Sequence, residues 1–187
     1  MNIPNILTTL RILCIPLFII LLSDGLYFLA LIFFVGASVT DALDGFLART
    51  LRQKTTLGSY LDPIADKLLL SSSFVTCAIL KLLPVWLAVL VISRDIIISL
   101  GILVLIVNSF AIEIRPTVIS KCTTLAQILT IGLVILFQVI GKKFVPLPLV
   151  FWATVFWATG ILTIASGIDY VSKGFHIINE RDNKLKE

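Results

Sequence analysis

An all-α integral membrane protein of six transmembrane helices is the fold class this sequence predicts, on three observations. Of its 187 residues, 58% are hydrophobic and only 14% charged, against about 45–50% and about 25% in soluble domains. The apolar residues gather into six runs, each near the ~20 residues that cross a bilayer. The basic residues fall mainly between alternate runs, as expected of cytoplasmic loops. The mean hydropathy is +1.08. The length suits a single domain, residues 1–187, ending in a polar tail from about 173 to 187.

The first run, Ile6 to Leu22, is closed by Ser23-Asp24-Gly25. It has no basic leader and no small-residue exit, so it reads as a retained helix and not a cleaved signal. Pro16 inside it is expected to kink it. The second run is Leu26 to Ala48 and the third Leu61 to Leu82, with Pro84 as the expected stop. The fourth is Val85 to Val107. The fifth, Val118 to Ile140, is closed by Gly141-Lys142-Lys143, and the sixth is Pro148 to Val171. Trp86, Trp152 and Trp157 lie near helix starts, where indoles anchor at the interface. Gly160 and Gly167 read as packing positions.

An even number of spans puts both termini on one side. With them lie Arg49, Arg52, Lys54, Arg115, Lys121, Lys173, Arg181, Lys184 and Lys186, while the opposite loops carry Lys81, Lys142 and Lys143. The positive-inside rule therefore predicts cytoplasmic termini. The net charge of +4 suits a membrane surface better than nucleic acid, because no aromatic residues interleave with the basic ones. Cys14, Cys77 and Cys122 lack metal spacing and read as small buried hydrophobes. The single histidine, His176, reads as a surface residue.

The unusual feature is four aspartates where the second and third runs meet: Asp41, Asp44, Asp62 and Asp66. Asp41 and Asp44 are three apart and Asp62 and Asp66 four apart, so each pair shares a helix face. The short basic loop between should return the chain antiparallel and bring all four together at the cytoplasmic ends of helices two and three. Each aspartate alone could be a cap or a solvated end. Four together repel unless protonated or bridged by cations. Oxygen ligands without His or Cys select a hard metal such as Mg²⁺, Mn²⁺ or Ca²⁺. Four could hold two ions about 4 Å apart, a common device for phosphoryl chemistry. Gly45 and Ala48 are small enough for a bulky group to approach the helix. Arg49 is a fork donor for phosphate. Gly58 lets the chain turn into helix three, and Lys67 balances charge beside Asp66. A divalent-cation transporter is the alternative class. Against it, the acids lie on one side, and no polar series crosses the midplane apart from Arg94 and Asp95.

Asp41-Ala-Leu-Asp44-Gly45-Phe-Leu-Ala48-Arg49, eight residues, Gly58, three residues, Asp62, three residues, Asp66 fills every fixed position of D-x2-D-G-x2-A-R-x8-G-x3-D-x3-D. The chain thereby resembles the CDP-alcohol phosphatidyltransferases. NIPNILTTLRI, SRDIIIS and ISKCTTLAQ extend the likeness over most of its length. The resemblance implies transfer of a phosphatidyl group from CDP-diacylglycerol to an alcohol, with release of CMP. It implies two ions, Mg²⁺ or Mn²⁺, held by Asp41, Asp44, Asp62 and Asp66, with Asp66 also the general base. It implies a CDP-diacylglycerol site of Asn5, Thr8, Gly45, Ala48, Arg49, Thr55 and Gly58. It implies a homodimer among membrane lipids. With the topology above, the active site would face the cytoplasm, in a bacterial inner membrane.

Two acceptors compete. SRDIIIS is similar to a stretch of the branch that uses glycerol 3-phosphate, although Asp95 replaces Glu and Gly101 stands where a cation is usual. Arg115 to Lys121, RPTVISK, is more similar to the cardiolipin branch, which uses phosphatidylglycerol. A phosphomonoester needs more cations than a phosphodiester, and Arg94, Arg115 and Lys121 could supply them. The plainer readings are an internal Arg94–Asp95 pair and a snorkelling lysine. Glycerol 3-phosphate is the favoured expectation.

Overall fold

The computed structural model describes the backbone of residues 3–51, 56–107, 117–141 and 148–184, and the side chains of residues 13–40, 67–101, 117–141 and 148–174. Among the described residues all regular structure is helical. The helices are α1 (Ile3–Ser23), α2 (Tyr27–Leu51), α3 (Thr56–Ile79), α4 (Val85–Val107), α5 (Val118–Ile140) and α6 (Leu149–Lys184).

Both ends of α4 and α5 coincide with the apolar runs. The other helices extend beyond theirs: α3 starts at Thr56 rather than Leu61, and α6 continues to Lys184 rather than Val171. Apolar content limits what sits in lipid, whereas backbone hydrogen bonding continues through polar residues. The expected polar tail is thus largely the last turns of α6.

α3 stops at Ile79, short of Leu82 and Pro84, because the chain turns first. Lys81 has φ +56°. Lys81 N–H donates to Ala78 O at 3.0 Å and Leu82 N–H to Cys77 O at 2.8 Å. This is the Schellman arrangement, in which a left-handed residue lets two orphan helix carbonyls find donors. α1 ends the same way. Gly25, at φ +75°, donates to Leu22 O at 3.3 Å and Leu26 to Leu21 O at 2.9 Å. At the start of α5, Thr117 Oγ1 caps the helix by accepting from Ser120 N–H at 3.2 Å.

Each helix packs on its neighbours in the order α1, α2, α5, α6, α4, α3 and back to α1, with a further α3–α5 contact inside the ring. The apolar core draws on five helices: Phe18 and Leu22 from α1, Ala30 and Phe34 from α2, Leu70, Phe74 and Cys77 from α3, Leu87 and Val91 from α4, and Ile131, Val134 and Ile135 from α5. The Phe18 and Phe34 rings lie 5.8 Å apart and tilted, tying α1 to α2. Of the three cysteines, Cys77 is buried, Cys14 half-buried and Cys122 exposed, so burial as a small hydrophobe holds fully only for Cys77.

α6 packs Trp152 and Phe156 against this core and adds polar contacts. Beside the buried Gly160, its buried side chains are Thr159, Thr163 and Ser166, facing Ser120, Thr123, Gln127 and Thr130 of α5. Thr130 and Thr159 hydroxyls are 2.7 Å apart. Gln127 Nε2 donates to Thr163 Oγ1 at 3.2 Å, and Thr123 Oγ1 to Leu162 O at 3.0 Å. The α5 positions alternate by three and four, a heptad phase that keeps one stripe against a partner helix. Small hydroxyl residues allow close approach, and their hydrogen bonds join helices where apolar contact gives no preference. A polar series thus runs along the α5–α6 interface. It consists of hydroxyls and one amide, without a carboxylate.

Candidate active site

The aspartate motif divides between α2, which carries Asp41, Asp44, Gly45, Ala48 and Arg49, and α3, which carries Gly58, Asp62 and Asp66. Asn5 and Thr8 are on α1. Thr55 and Arg115 lie outside the described residues, as do the side chains of all the other motif positions. The register of the helices is nevertheless informative. On α2, Ala30 and Phe34 are buried, and steps of three and four carry their phase through 37, 41, 44 and 48. On α3, positions 62 and 66 lie in phase with the buried Leu69 and Ser73, seven residues on. Both pairs therefore occupy the continuation of core-facing stripes. α2 and α3 were expected to be direct neighbours. Among the described residues they share no extended contact, and each packs on α1 and α5 instead.

Next to the motif, the described side chains form a polar layer across four helices. Lys67 Nζ on α3 donates to Ser99 Oγ on α4 at 2.9 Å. One turn before Ser99, Asp95 accepts from Arg94 Nη1 at 2.7 Å. Arg94 Nη2 donates to Ser120 Oγ on α5 and to Ser166 Oγ on α6, both at 2.7 Å. Arg94 and Asp95 are each 7% exposed. The structure thus places Arg94, an expected acceptor ligand, in an internal fork joining three helices. Its buried Nε has no partner among the described residues. Lys121 is exposed on the first turn of α5. Sequence reasoning missed Ser99, Ser120 and Ser166 as partners. The available signal was phase: Ser99 is four residues after Asp95, and Ser120 opens the α5 polar stripe.

A groove of about 520 Å³ between α4 and α6 is lined by Leu90, Arg94, Ile97, Ile164, Gly167 and Ile168, among others. At Gly167 an added Cβ would sit 3.7 Å from Arg94 Cγ, so a methyl group there would meet the arginine stem in ordinary contact.

Residues 1–170 match the family described as CDP-alcohol phosphatidyltransferase. The chain belongs to this family. As a CDP-alcohol phosphatidyltransferase it is an enzyme, of a family that is membrane-associated and generally dependent on divalent metal. It is 30% identical over 196 residues to the CDP-diacylglycerol--glycerol-3-phosphate 3-phosphatidyltransferase of Bacillus subtilis (strain 168), covering 95% of this chain and 97% of that one. It is 35% identical over 187 residues to a probable phosphatidylglycerophosphate synthase of Mycobacterium tuberculosis (strain ATCC 25618 / H37Rv), covering 95% and 83%. It is also 34% identical over 186 residues to the cardiolipin synthase (CMP-forming) / mitochondrial hydrolase fusion protein of Schizosaccharomyces pombe, covering 90% of this chain and 30% of that one.

Two helical stretches among the described residues of this phosphatidyltransferase, Val118–Ile140 and Leu149–Gly174, are long and apolar enough to cross a membrane. No cluster of three metal-ligating side chains occurs among the described residues. The ligands expected from the sequence, the motif aspartates, offer carboxylate oxygens, a donor set that suits a hard divalent ion.

Proposed function

We propose that this protein transfers the phosphatidyl group of CDP-diacylglycerol to glycerol 3-phosphate, releasing CMP and forming phosphatidylglycerophosphate. The observation that carries the reading is near end-to-end similarity to a relative named for that reaction, together with a motif complete at every fixed position.

The residues divide the work. Asp41, Asp44, Asp62 and Asp66 hold two ions, Mg²⁺ or Mn²⁺. Bound there, the ions would neutralise diphosphate charge and stabilise CMP as leaving group. Asn5, Thr8, Gly45, Ala48, Arg49, Thr55 and Gly58 receive the CDP end of the donor, with Arg49 presenting its fork to phosphate. Asp66 takes the proton of the acceptor hydroxyl. The hydroxyl oxygen bonds to the phosphorus bearing diacylglycerol as the bond from that phosphorus to the CMP oxygen breaks. Arg115 and Lys121 attract the phosphomonoester of the acceptor, with Arg94 adding its charge from within the internal fork.

All six helices cross the membrane in this reading, and both termini and the site face the cytoplasm of a bacterial cell. Support comes from the outer surface. Leu13, Phe28, Ile79, Val85, Leu125, Leu149, Val150 and Ile161 are all exposed, far more apolar surface than water-facing monomers present. One domain spans the chain, and it pairs as a homodimer through membrane helices.

Phosphatidylglycerol is the second acceptor, favoured by the similarity to a relative named cardiolipin synthase and by RPTVISK. The test is an acceptor screen on detergent-purified protein with CDP-diacylglycerol and Mg²⁺. CMP release with glycerol 3-phosphate alone supports the reading. Release only with phosphatidylglycerol replaces it with the second.

A further inference from the structure

Lys67 directly follows Asp66, so the two are about 100° apart around α3. Positions 62 and 66 share the phase of the buried Leu69 and Ser73, seven residues on. Lys67 is half-buried, lies seven residues before the buried Phe74, and donates to the exposed Ser99 Oγ on α4 at 2.9 Å. Position 66 and the anchoring Lys67 thus lie about 100° apart on the same helix, both in phase with its buried residues. Asp95, one turn before Ser99, is paired with Arg94, which is bonded to Ser120 and Ser166. The Lys67–Ser99 contact is the α3 end of a polar layer that runs through α4 into α5 and α6.

Apolar packing alone sets the rotation of a helix only loosely, since such contacts have no direction. A working site needs its groups held within about 0.5 Å and 10–20°. A charge-assisted hydrogen bond one residue from the motif supplies that direction. We propose that Ser99 is a positioning residue for phosphatidyl transfer: by accepting from Lys67 it fixes the rotation of α3, and so the disposition of positions 62 and 66 toward the metal. This rests on the metal-dependent reading above.

The test uses the full chain in detergent with Ser99→Ala, Ser99→Thr, Lys67→Met and the double variant Lys67→Met/Ser99→Ala. Three quantities are read: kcat and KM for CDP-diacylglycerol, Mn²⁺ affinity of the substrate-free protein by electron paramagnetic resonance, and melting temperature. Ser99→Ala is expected to lower kcat on the order of tenfold and to weaken Mn²⁺ binding severalfold, with KM and melting temperature near wild type. Ser99→Thr keeps the hydroxyl and restores both. The double variant is no worse than Lys67→Met, because the pair acts as one unit. Unchanged kcat and Mn²⁺ affinity in Ser99→Ala would overturn the proposal. So would additive losses in the double variant, or a loss that tracks melting temperature and is not rescued by threonine. A wild type that binds no Mn²⁺ and releases no CMP would overturn the functional reading instead.

Discussion

Arg94 on α4 and Ser166 on α6 are joined by a 2.7 Å hydrogen bond, 72 residues apart in sequence. The same guanidinium holds Asp95 beside it and Ser120 on α5, so one buried cation ties three helices. Removing it leaves the Asp95 carboxylate buried without its partner. Arg94→Met should therefore cost about 3–5 kcal/mol, read as a fall in melting temperature in detergent. Arg94→Met/Asp95→Leu should recover much of that stability. If Arg94 also serves the acceptor, the stable double variant will show a raised KM for glycerol 3-phosphate.

The left-handed turn at Lys81 is strained. A side chain in that region costs roughly 1–2 kcal/mol relative to glycine, and Lys81 adopts φ +56° where Gly25 does the same task for α1 at φ +75°. Lys81→Gly is expected to stabilise the protein by about 1 kcal/mol. A thermal scan beside Lys81→Ala, which keeps the strain, checks it.

Trp86 lies against the backbone of α6. A Cβ on Gly160 would meet its Cζ3 at 2.8 Å, and the Trp157 ring, 5.0 Å away, limits its retreat. Gly160→Ala should destabilise by about 1–3 kcal/mol, and Trp86→Leu in the same chain should relieve it. Equal melting temperatures for wild type and Gly160→Ala would contradict this packing.

Asp66→Asn removes the proposed base while keeping the size of the side chain. CMP release should fall at least about 100-fold, with helical circular dichroism unchanged. Wild-type turnover in this variant would end the general-base role.

Chelation separates metal dependence from fold. EDTA should stop CMP release, and Mg²⁺ or Mn²⁺ should restore it, while helix content stays constant because the described core is apolar and hydroxyl-bonded rather than metal-bound. Full activity after exhaustive chelation would sink the metal reading.

The family was legible in the sequence because its signature is local. From Asp41 to Asp66 the spacing of carboxylates, glycines and one arginine stands in a single stretch. The positions of the six helices were legible for a related reason. Hydropathy is a sum over consecutive residues, and a long apolar run has to satisfy its own backbone as helix. Stops were less legible where a turn intervened: α3 ends at Lys81's left-handed geometry, which nothing in that residue's type announces.

Which helices meet was decided only by the tertiary structure. α2 and α3 adjoin in sequence, yet among the described residues each packs on α1 and α5. α6 reaches α4 through Arg94 and α5 through Thr159 and Thr163. In an apolar surrounding, greasy faces are nearly interchangeable, so neighbours are chosen by small residues and scattered hydroxyls that find partners across long sequence separations. Arg94 illustrates the difference. Its charge marked it in the sequence as a functional residue. Only the folded chain supplied the two serines, from helices far along the sequence, that make it a structural fork.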